Sequence, residues 1–224
     1  MKNSQSAAAA LGGYTLGEEI ANSVTHGIGA LLSIAGLVVL IWYAATRSGQ
    51  AVSVVSAVIF GAAMVILYTF STLYHAITNR RAKRVLQVFD HSAIYLMIAG
   101  SYTPFCLVAL KGTTGIALCT AVWAIAALGI ALQPILIKKA EWLNCLLYLL
   151  LGWCVVVVIK PLVAVLPTAG LWLLVAGGLA YSVGVIFYLC DRIPFNHAIW
   201  HLFVLAGTVL QFFSVLFYVI PIQA

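Results

Sequence analysis

The sequence predicts an all-α, polytopic membrane protein with seven transmembrane helices. Hydrophobic residues make up 64% of the 224 residues and charged residues only 7%, whereas a soluble domain carries about 25% charged residues. The hydrophobic residues form seven stretches near the length, about 20 residues, at which a helix crosses a bilayer core of ~30 Å. These stretches do not alternate polar and apolar residues, so an outer-membrane β-barrel is excluded.

Short segments with charged residues, glycine and proline separate the stretches. The seven predicted spans are Ile20–Ala45, Val52–Ile77, Val85–Leu110, Gly115–Ile137, Trp142–Ile159, Leu171–Cys190 and Asn196–Ile220. Residues 20–222 are therefore predicted to form one seven-helix transmembrane domain, since no soluble domain, long linker or internal repeat interrupts them. Residues 1–19 are predicted to form a short segment that lacks the apolar core of roughly 7–15 residues found in cleaved signal peptides.

Basic residues flank the predicted spans unevenly. With seven spans, the N-terminus and the connections after spans two, four and six lie on one side, and they carry eight of the eleven Lys and Arg residues. The positive-inside rule therefore predicts a cytoplasmic N-terminal segment and an external C-terminus. Because these basic residues are divided among short connections, the net charge of +6 does not indicate binding to nucleic acid.

Three histidines are predicted to lie at one depth, near the cytoplasmic ends of their helices. His75 ends span two, while His197 and His201 begin span seven one helical turn apart, behind Asn196 as a candidate N-cap. Histidines are rare inside bilayers because hydrocarbon does not solvate them, so each is a candidate for function. Their spacing predicts a divalent metal site with Zn²⁺ as the cofactor. The alternative is a set of histidines that hydrogen-bond between helices.

The number of ligands bears on what such a metal would do. Three histidines with an open fourth position are typical of catalytic zinc, which activates a bound water. A fourth Cys or His would instead close the site and make it structural. None of the five cysteines forms a CxxC pair, and Cys190, just before the motif of span seven, is the one that could close the site.

Ser71 and Asp90 are the candidate catalytic residues. The Ser71 hydroxyl lies one helical turn before His75, although serines in membrane helices also commonly hydrogen-bond to their own carbonyls. Asp90 lies near the start of span three, where the helix dipole favours a carboxylate. It either pairs with Arg81 or Arg84 at the interface, or hydrogen-bonds a water at the metal and acts as a general base.

A polar stripe marks the start of span one. Glu19, Asn22, Ser23 and His26 follow one another at helical spacing on a single face. Such a stripe faces protein or water rather than lipid. We interpret Glu19, Asn22 and His26 as residues that support the metal ligands through hydrogen bonds. The alternative is that this stripe itself supplies a ligand.

Four motifs follow one another in a specific order and spacing. They are Glu18–Gly27, Ser71–His75, Phe89–Tyr95 with Gly100–Pro104, and Pro194–His201. Together they resemble the hemolysin III family, the bacterial branch of the progestin and adipoQ receptor superfamily. The resemblance implies a seven-helix protein of the bacterial cytoplasmic (inner) membrane with a zinc site near the cytoplasmic leaflet. It also implies the ligands His75, His197 and His201, with Ser71 and Asp90 around them.

Two functions are compatible with these features. The superfamily contains intramembrane ceramidases with this metal constellation, which suggests a zinc-dependent hydrolase of a lipid amide or ester, or a regulator of membrane lipid homeostasis and energetics. A membrane lipid is then the expected substrate or ligand. The alternative is a cytolytic or ion-conducting protein in which zinc only ties spans two and seven together. The predicted helices carry no stripe of charges that could line a continuous pore, which argues against a channel.

Reporter fusions at the two termini test the predicted topology. A cytoplasmic reporter should be active only at the N-terminus and an external reporter only at the C-terminus, because the basic residues favour that orientation. Two termini on the same side would mean an even number of spans. That result would contradict the common depth of His75 and the two histidines of span seven.

Overall fold

The computed structural model describes residues 13–139 and 141–222 and confirms the predicted fold class. Within these residues every regular element is helical, and seven helices are long and apolar enough to cross a membrane. The seven spans are Leu16–Ser48, Ala51–Ala76, Arg80–Leu110, Gly112–Ile137, Trp142–Val165, Thr168–Tyr188 and Asn196–Val219. Their order is the predicted one, and their ends differ where local interactions extend or shorten a helix.

Span one begins at Leu16 rather than at the predicted Ile20 because a capping box precedes it. The Thr15 hydroxyl oxygen accepts a hydrogen bond from the Glu18 backbone N–H at 3.3 Å, and a Glu18 carboxylate oxygen accepts one from the Thr15 backbone N–H at 2.8 Å. These two bonds satisfy donors that a helix start leaves without partners. The extra turn brings Glu19 into the helix, with its side chain turned inward and buried.

Span seven begins at the predicted Asn196, but the assignment of Asn196 as its N-cap is wrong. The cap position belongs to Phe195, which has a left-handed backbone (φ 57°), and Asn196 is the first helical residue. The Phe195 backbone N–H instead donates to a Glu18 carboxylate oxygen at 3.4 Å. This contact ties the start of span seven to the start of span one, beside the histidines.

Several spans depart from regular α-helix. Spans one, three and seven end in π-helical turns at Ala44–Ser48, Phe105–Leu110 and Val215–Val219, and span five contains a 3₁₀ segment at Trp153–Val158. The Tyr102 hydroxyl compensates for the break in span five, because it accepts from the Val155 N–H and donates to the Gly152 carbonyl, both at 2.7 Å. Broken backbone at membrane depth needs such partners, since lipid offers none. Span five therefore continues to Val165, beyond the predicted Ile159.

Spans two and three form the centre of the bundle through close contact of small residues. A Cβ at Gly100 would lie 2.6 Å from the Ala63 Cβ and 3.5 Å from the Ile59 carbonyl oxygen. Small residues of this kind let membrane helices approach closely and gain van der Waals contact. This packing fixes the positions of the Ser71–His75 segment in span two and of Asp90 in span three relative to each other.

Gly100→Ala should destabilise the protein, because neither the Ala63 methyl group nor the backbone of span two can move aside by rotamer change. We expect a loss of about 1–3 kcal/mol, which is typical of overpacking, measured as a lower Tm in detergent. Gly152→Ala is the matched control, since a Cβ there meets nothing within 4 Å. Equal Tm values for the two variants would contradict the close packing of spans two and three.

Candidate metal centre

Three histidines meet at one end of the bundle, which we call the histidine end. His75 lies in the last turn of the helix Ala51–Ala76, and His197 and His201 lie at the start of the helix Asn196–Ser214. Their ring centroids are 4.6–5.2 Å apart, and one nitrogen from each ring lies within 4.8 Å of the others. All three residues are at most 6% exposed. Three imidazoles in this arrangement could hold one metal ion.

The outward-facing Nδ1 atoms of two of these rings bond to span one. His75 Nδ1 lies 2.7 Å from a carboxylate oxygen of Glu19, and His201 Nδ1 lies 3.1 Å from the backbone carbonyl oxygen of Asn22. Both acceptors require a hydrogen on Nδ1, which leaves the Nε2 lone pair of each ring free to bind a metal. Metal-binding histidines in proteins are held in this manner by partners behind the ring.

The third ring, His197, has its partner outside the predicted spans. Its Nδ1 lies 3.0 Å from the Tyr14 hydroxyl, and the two rings are 5.0 Å apart. Tyr14, Glu19 and Asn22 thus provide one partner each, and all three belong to span one or to the two residues before it. Span one contributes no residue to the three-histidine cluster, but it sets the orientation of all three rings.

A buried atom without a partner tests whether a metal fits this cluster. The Nε2 atom of His75 is fully buried and makes no hydrogen bond with any described residue. An unpaired nitrogen in an apolar interior is costly, and such groups in native proteins usually have a partner. Nε2 is also the nitrogen that the bond from Nδ1 to Glu19 leaves free. The donor set and this unsatisfied atom together fit a bound metal ion.

The polar stripe predicted for span one faces the protein. Glu19, Asn22 and His26 are at most 3% exposed, and the Ser23 hydroxyl donates to the Thr72 carbonyl of span two at 3.4 Å. Neither ring nitrogen of His26 hydrogen-bonds to one of the three histidines of the cluster. It stacks on His201 instead, with centroids 3.5 Å apart and planes 10° apart, and both of its own nitrogens lack a hydrogen-bond partner.

Ser71 and Asp90 lie on the wall of one cavity together with His197 and His201 of the cluster. Ser71 is 1% exposed, and its hydroxyl forms no hydrogen bond to the described part of the chain, so it is not bonded to its own helix. Asp90 is 8% exposed and forms no ion pair with Arg81 or Arg84 among the described side chains; both arginines are exposed. Both candidate residues are therefore turned towards the cavity rather than towards the membrane surface.

The cavity extends from the histidines into the apolar interior of the bundle. It encloses about 170 Å³, and its lining includes His26, Ser71, Asp90, His91, His197 and His201. Farther from the histidines its wall consists mainly of aliphatic and aromatic side chains of spans three, five, six and seven. None of the described residues that line it is Lys or Arg. The cavity is therefore largely apolar, with His197 and His201 of the cluster in its wall.

Two further residues that could bind a metal lie outside the histidine cluster. Cys190 is a free, half-buried thiol that is not part of the histidine cluster. His91, the chain neighbour of Asp90, bonds through Nδ1 to the Gln87 carbonyl of its own helix at 2.9 Å and is also outside the cluster. Among the described residues, the three histidines are the one group of His, Cys, Asp and Glu close enough to share a metal ion.

Sequence reasoning missed two residues of the histidine end. Tyr14 precedes the first span, and no periodicity or motif links it to His197. Lys83 belongs to a basic connection and was counted only as a topology signal, yet it is 5% exposed and lies 2.8 Å from Glu19. A lysine among three exposed arginines carries no sequence signal that it is buried.

Comparison with known proteins agrees with this geometry. A profile of the family described as Haemolysin-III related matches residues 14–212. The chain is 51% identical over 209 residues to the Hemolysin-3 homolog of Bacillus subtilis (strain 168), covering 93% of this chain and 98% of the relative. It is 48% identical over 204 residues to Hemolysin-3 of Bacillus cereus, covering 91% and 93%. It is 29% identical over 204 residues to the Monocyte to macrophage differentiation factor of Homo sapiens, covering 88% and 83%.

Metal analysis of purified protein tests the ligand assignment. We expect about one metal ion per chain, and alanine at His75, His197 or His201 should each remove most of it, because two imidazoles hold a metal far less tightly than three. His91→Ala is the matched control and should keep the metal. His26→Ala should also keep most of it, since His26 stacks on a ligand without belonging to the cluster. A metal-free His91→Ala protein with a metal-loaded His75→Ala protein would overturn the assignment.

Proposed function

This chain belongs to the hemolysin III family of multi-pass membrane proteins, and we propose that it is a zinc-dependent hydrolase of a membrane lipid. The bond cleaved is an amide or an ester. The observation that carries the proposal is the three-histidine cluster beside a largely apolar cavity, which is lined by His197 and His201 of the cluster and by Ser71 and Asp90. A hydrolase of this kind would change the lipid composition of its membrane, which would connect it to lipid homeostasis.

Zinc is the metal that the donor set favours. The cluster offers three imidazole nitrogens and no carboxylate oxygen, whereas Mg²⁺ and Ca²⁺ prefer oxygen ligands. Three protein ligands, rather than four, are the arrangement in which zinc keeps a position for water or substrate. When bound, zinc would supply a Lewis acid for a carbonyl oxygen and would activate water at neutral pH.

Asp90 and Ser71 have complementary roles in the proposed reaction. The Asp90 carboxylate lines the cavity and forms no ion pair with a described Lys or Arg, and the Nδ1 atom of His91 lies 3.8 Å from its Oδ2. This carboxylate can accept a proton from an attacking water. The Ser71 hydroxyl has no partner in the described chain, so it can donate a hydrogen bond to the carbonyl oxygen on which negative charge develops. The proton that Asp90 takes from the water can then pass to the leaving amine or alcohol.

The wall of the cavity restricts the substrate. Side chains such as Met97, Leu174 and Val204 offer an apolar surface on which an acyl chain can lie. No described Lys or Arg lines the cavity, and Asp90 would repel a phosphate group. We therefore expect the part of the lipid that enters the site to be uncharged at its polar end.

Membrane lysis or ion conduction with a structural metal is the second candidate function. Its support is the name of the Bacillus cereus relative, Hemolysin-3, and the fact that the three histidines join span two to span seven. A channel needs a polar path across the membrane. Among the described residues that line the cavity, Asp90 is the only Asp, Glu, Lys or Arg, so the lining offers no row of charges across the membrane. We therefore favour the hydrolase.

Asp90→Asn separates the two functions. If Asp90 accepts the proton, this variant should keep its metal and its Tm, while turnover of lipid amides and esters in vesicles falls by about 10²-fold or more. Asp191→Asn is the matched control, because Asp191 is exposed in the connection between spans six and seven. Turnover should be measured on the same preparations as metal content and Tm.

Two outcomes would contradict the hydrolase. Normal turnover by a metal-loaded Asp90→Asn protein would remove Asp90 from the reaction. A lower metal content together with a lower Tm in this variant would mean that Asp90 supports the fold or the cluster. That result is expected if the metal only joins helices.

A further inference from the structure

We propose that Lys83 is a positioning residue of the metal centre, whose buried ammonium group holds the Glu19 carboxylate against His75. This inference rests on the metal site of the proposed function but not on its hydrolytic reaction. It extends the site beyond the histidines and span one to the start of span three, which carries none of the three histidines.

A continuous set of contacts joins Lys83 to the metal cluster. Lys83 Nζ lies 2.8 Å from Oε1 of Glu19, and Oε2 of the same carboxylate lies 2.7 Å from Nδ1 of His75. Lys83 is 5% exposed and Glu19 3% exposed, so water screens this ion pair weakly. The carboxylate therefore bridges a cation on one side and a proposed metal ligand on the other.

Lys83 also contacts span two at the histidine end. Its Nζ donates to the backbone carbonyl of Tyr74 at 2.9 Å and lies 4.7 Å from the centre of the Tyr74 ring. Tyr74 directly precedes His75 in the chain. One ammonium group thus contacts span one through Glu19 and span two through Tyr74, while its own backbone belongs to span three. These contacts limit the movement of His75 relative to Glu19.

The burial of Lys83 is not explained by membrane topology. Basic residues near a span orient the protein equally well when they are exposed, as Arg80, Arg81 and Arg84 are. Lysine is rarely buried unless it is paired, because removing its charge from water is costly. Its partner is Glu19, and a buried carboxylate has the same need for a counter-charge. The Lys83 ammonium group and the Glu19 carboxylate are therefore each other's counter-charge, next to the histidine cluster.

Removal of the cation has a specific consequence for the metal. A buried Glu19 carboxylate without Lys83 would turn towards water, and His75 Nδ1 would lose the acceptor that fixes its ring. Loss of a hydrogen-bonding partner behind a metal-binding histidine typically weakens metal binding by about 10–100-fold. We therefore expect Lys83 to affect metal affinity although its ammonium group does not reach the metal.

Zinc affinity of the full-length protein in detergent, measured by competition with a chelator, tests the role of Lys83. Lys83→Met keeps an unbranched side chain and removes the charge, and its Kd for zinc should rise by about 10–100-fold. Arg84→Met is the matched control, and its Kd should be unchanged because Arg84 is exposed on the next position of the same helix. An unchanged Kd in Lys83→Met would overturn the proposal.

A second comparison separates positioning from general support of the fold. Glu19→Gln keeps an oxygen that can accept from His75 Nδ1 but needs no counter-charge. Adding Lys83→Met to Glu19→Gln should raise the Kd by less than about 3-fold if Lys83 acts through Glu19, since coupled residues are not additive. An equal effect of Lys83→Met in both backgrounds would overturn the proposal.

Stability measurements decide the case in which Lys83→Met does not accumulate. The double variant has neither buried charge, so it should fold and bind zinc about as well as Glu19→Gln alone. Failure of the double variant to fold would mean that Lys83 mainly supports the fold, and would overturn the proposal. Wild-type protein that binds no zinc would overturn both the metal centre and this inference. Wild-type protein that binds zinc but cleaves no lipid would overturn only the hydrolase.

Discussion

The constraint on which the site depends is that hydrocarbon offers no partner to an imidazole nitrogen. Each buried ring must therefore find its hydrogen bonds within the protein or bind an ion. Here the outward nitrogens of the three rings meet a carboxylate, a backbone carbonyl and a phenol hydroxyl. The inward nitrogens converge, and that of His75 has no partner in the described chain. One metal ion could satisfy all three inward nitrogens at once, so the cluster is a candidate metal site.

Span one has an unusual role in this arrangement. Span one carries none of the three histidines. Nevertheless Glu19 and Asn22 of this span, and Tyr14 just before it, hydrogen-bond to the outward nitrogens of the three rings. Its capping box also places Glu18 against the first turn of span seven. Because the orientation of a metal ligand depends on the groups behind it, span one and Tyr14 together orient the rings carried by spans two and seven. Lys83 connects the same group of contacts to span three.

The cavity follows from the way the remaining spans depart from regular helix. Span five is interrupted by a 3₁₀ segment, and the Tyr102 hydroxyl bonds the backbone groups that the interruption leaves free. Such breaks are tolerated at membrane depth only where protein replaces the missing partners. Trp153, Val155 and Val156 of the interrupted stretch line the same cavity as His197 and His201, so an apolar space adjoins the candidate metal centre. This combination suits a molecule with a long apolar part and one reactive polar bond.

By itself the sequence determined the seven spans, the turn spacing of His197 and His201 and the inward polar face of Glu19, Asn22 and His26, because hydrophobic length and helical periodicity are local properties. Only the tertiary structure decided which groups touch. Tyr14 and His197 are 183 positions apart, and their contact depends on how spans one and seven pack. The buried state of Lys83 and the left-handed cap at Phe195 likewise depend on neighbours from other spans. Long-range contacts of this kind leave no periodic trace in a single chain, so they appear only when the helices are assembled.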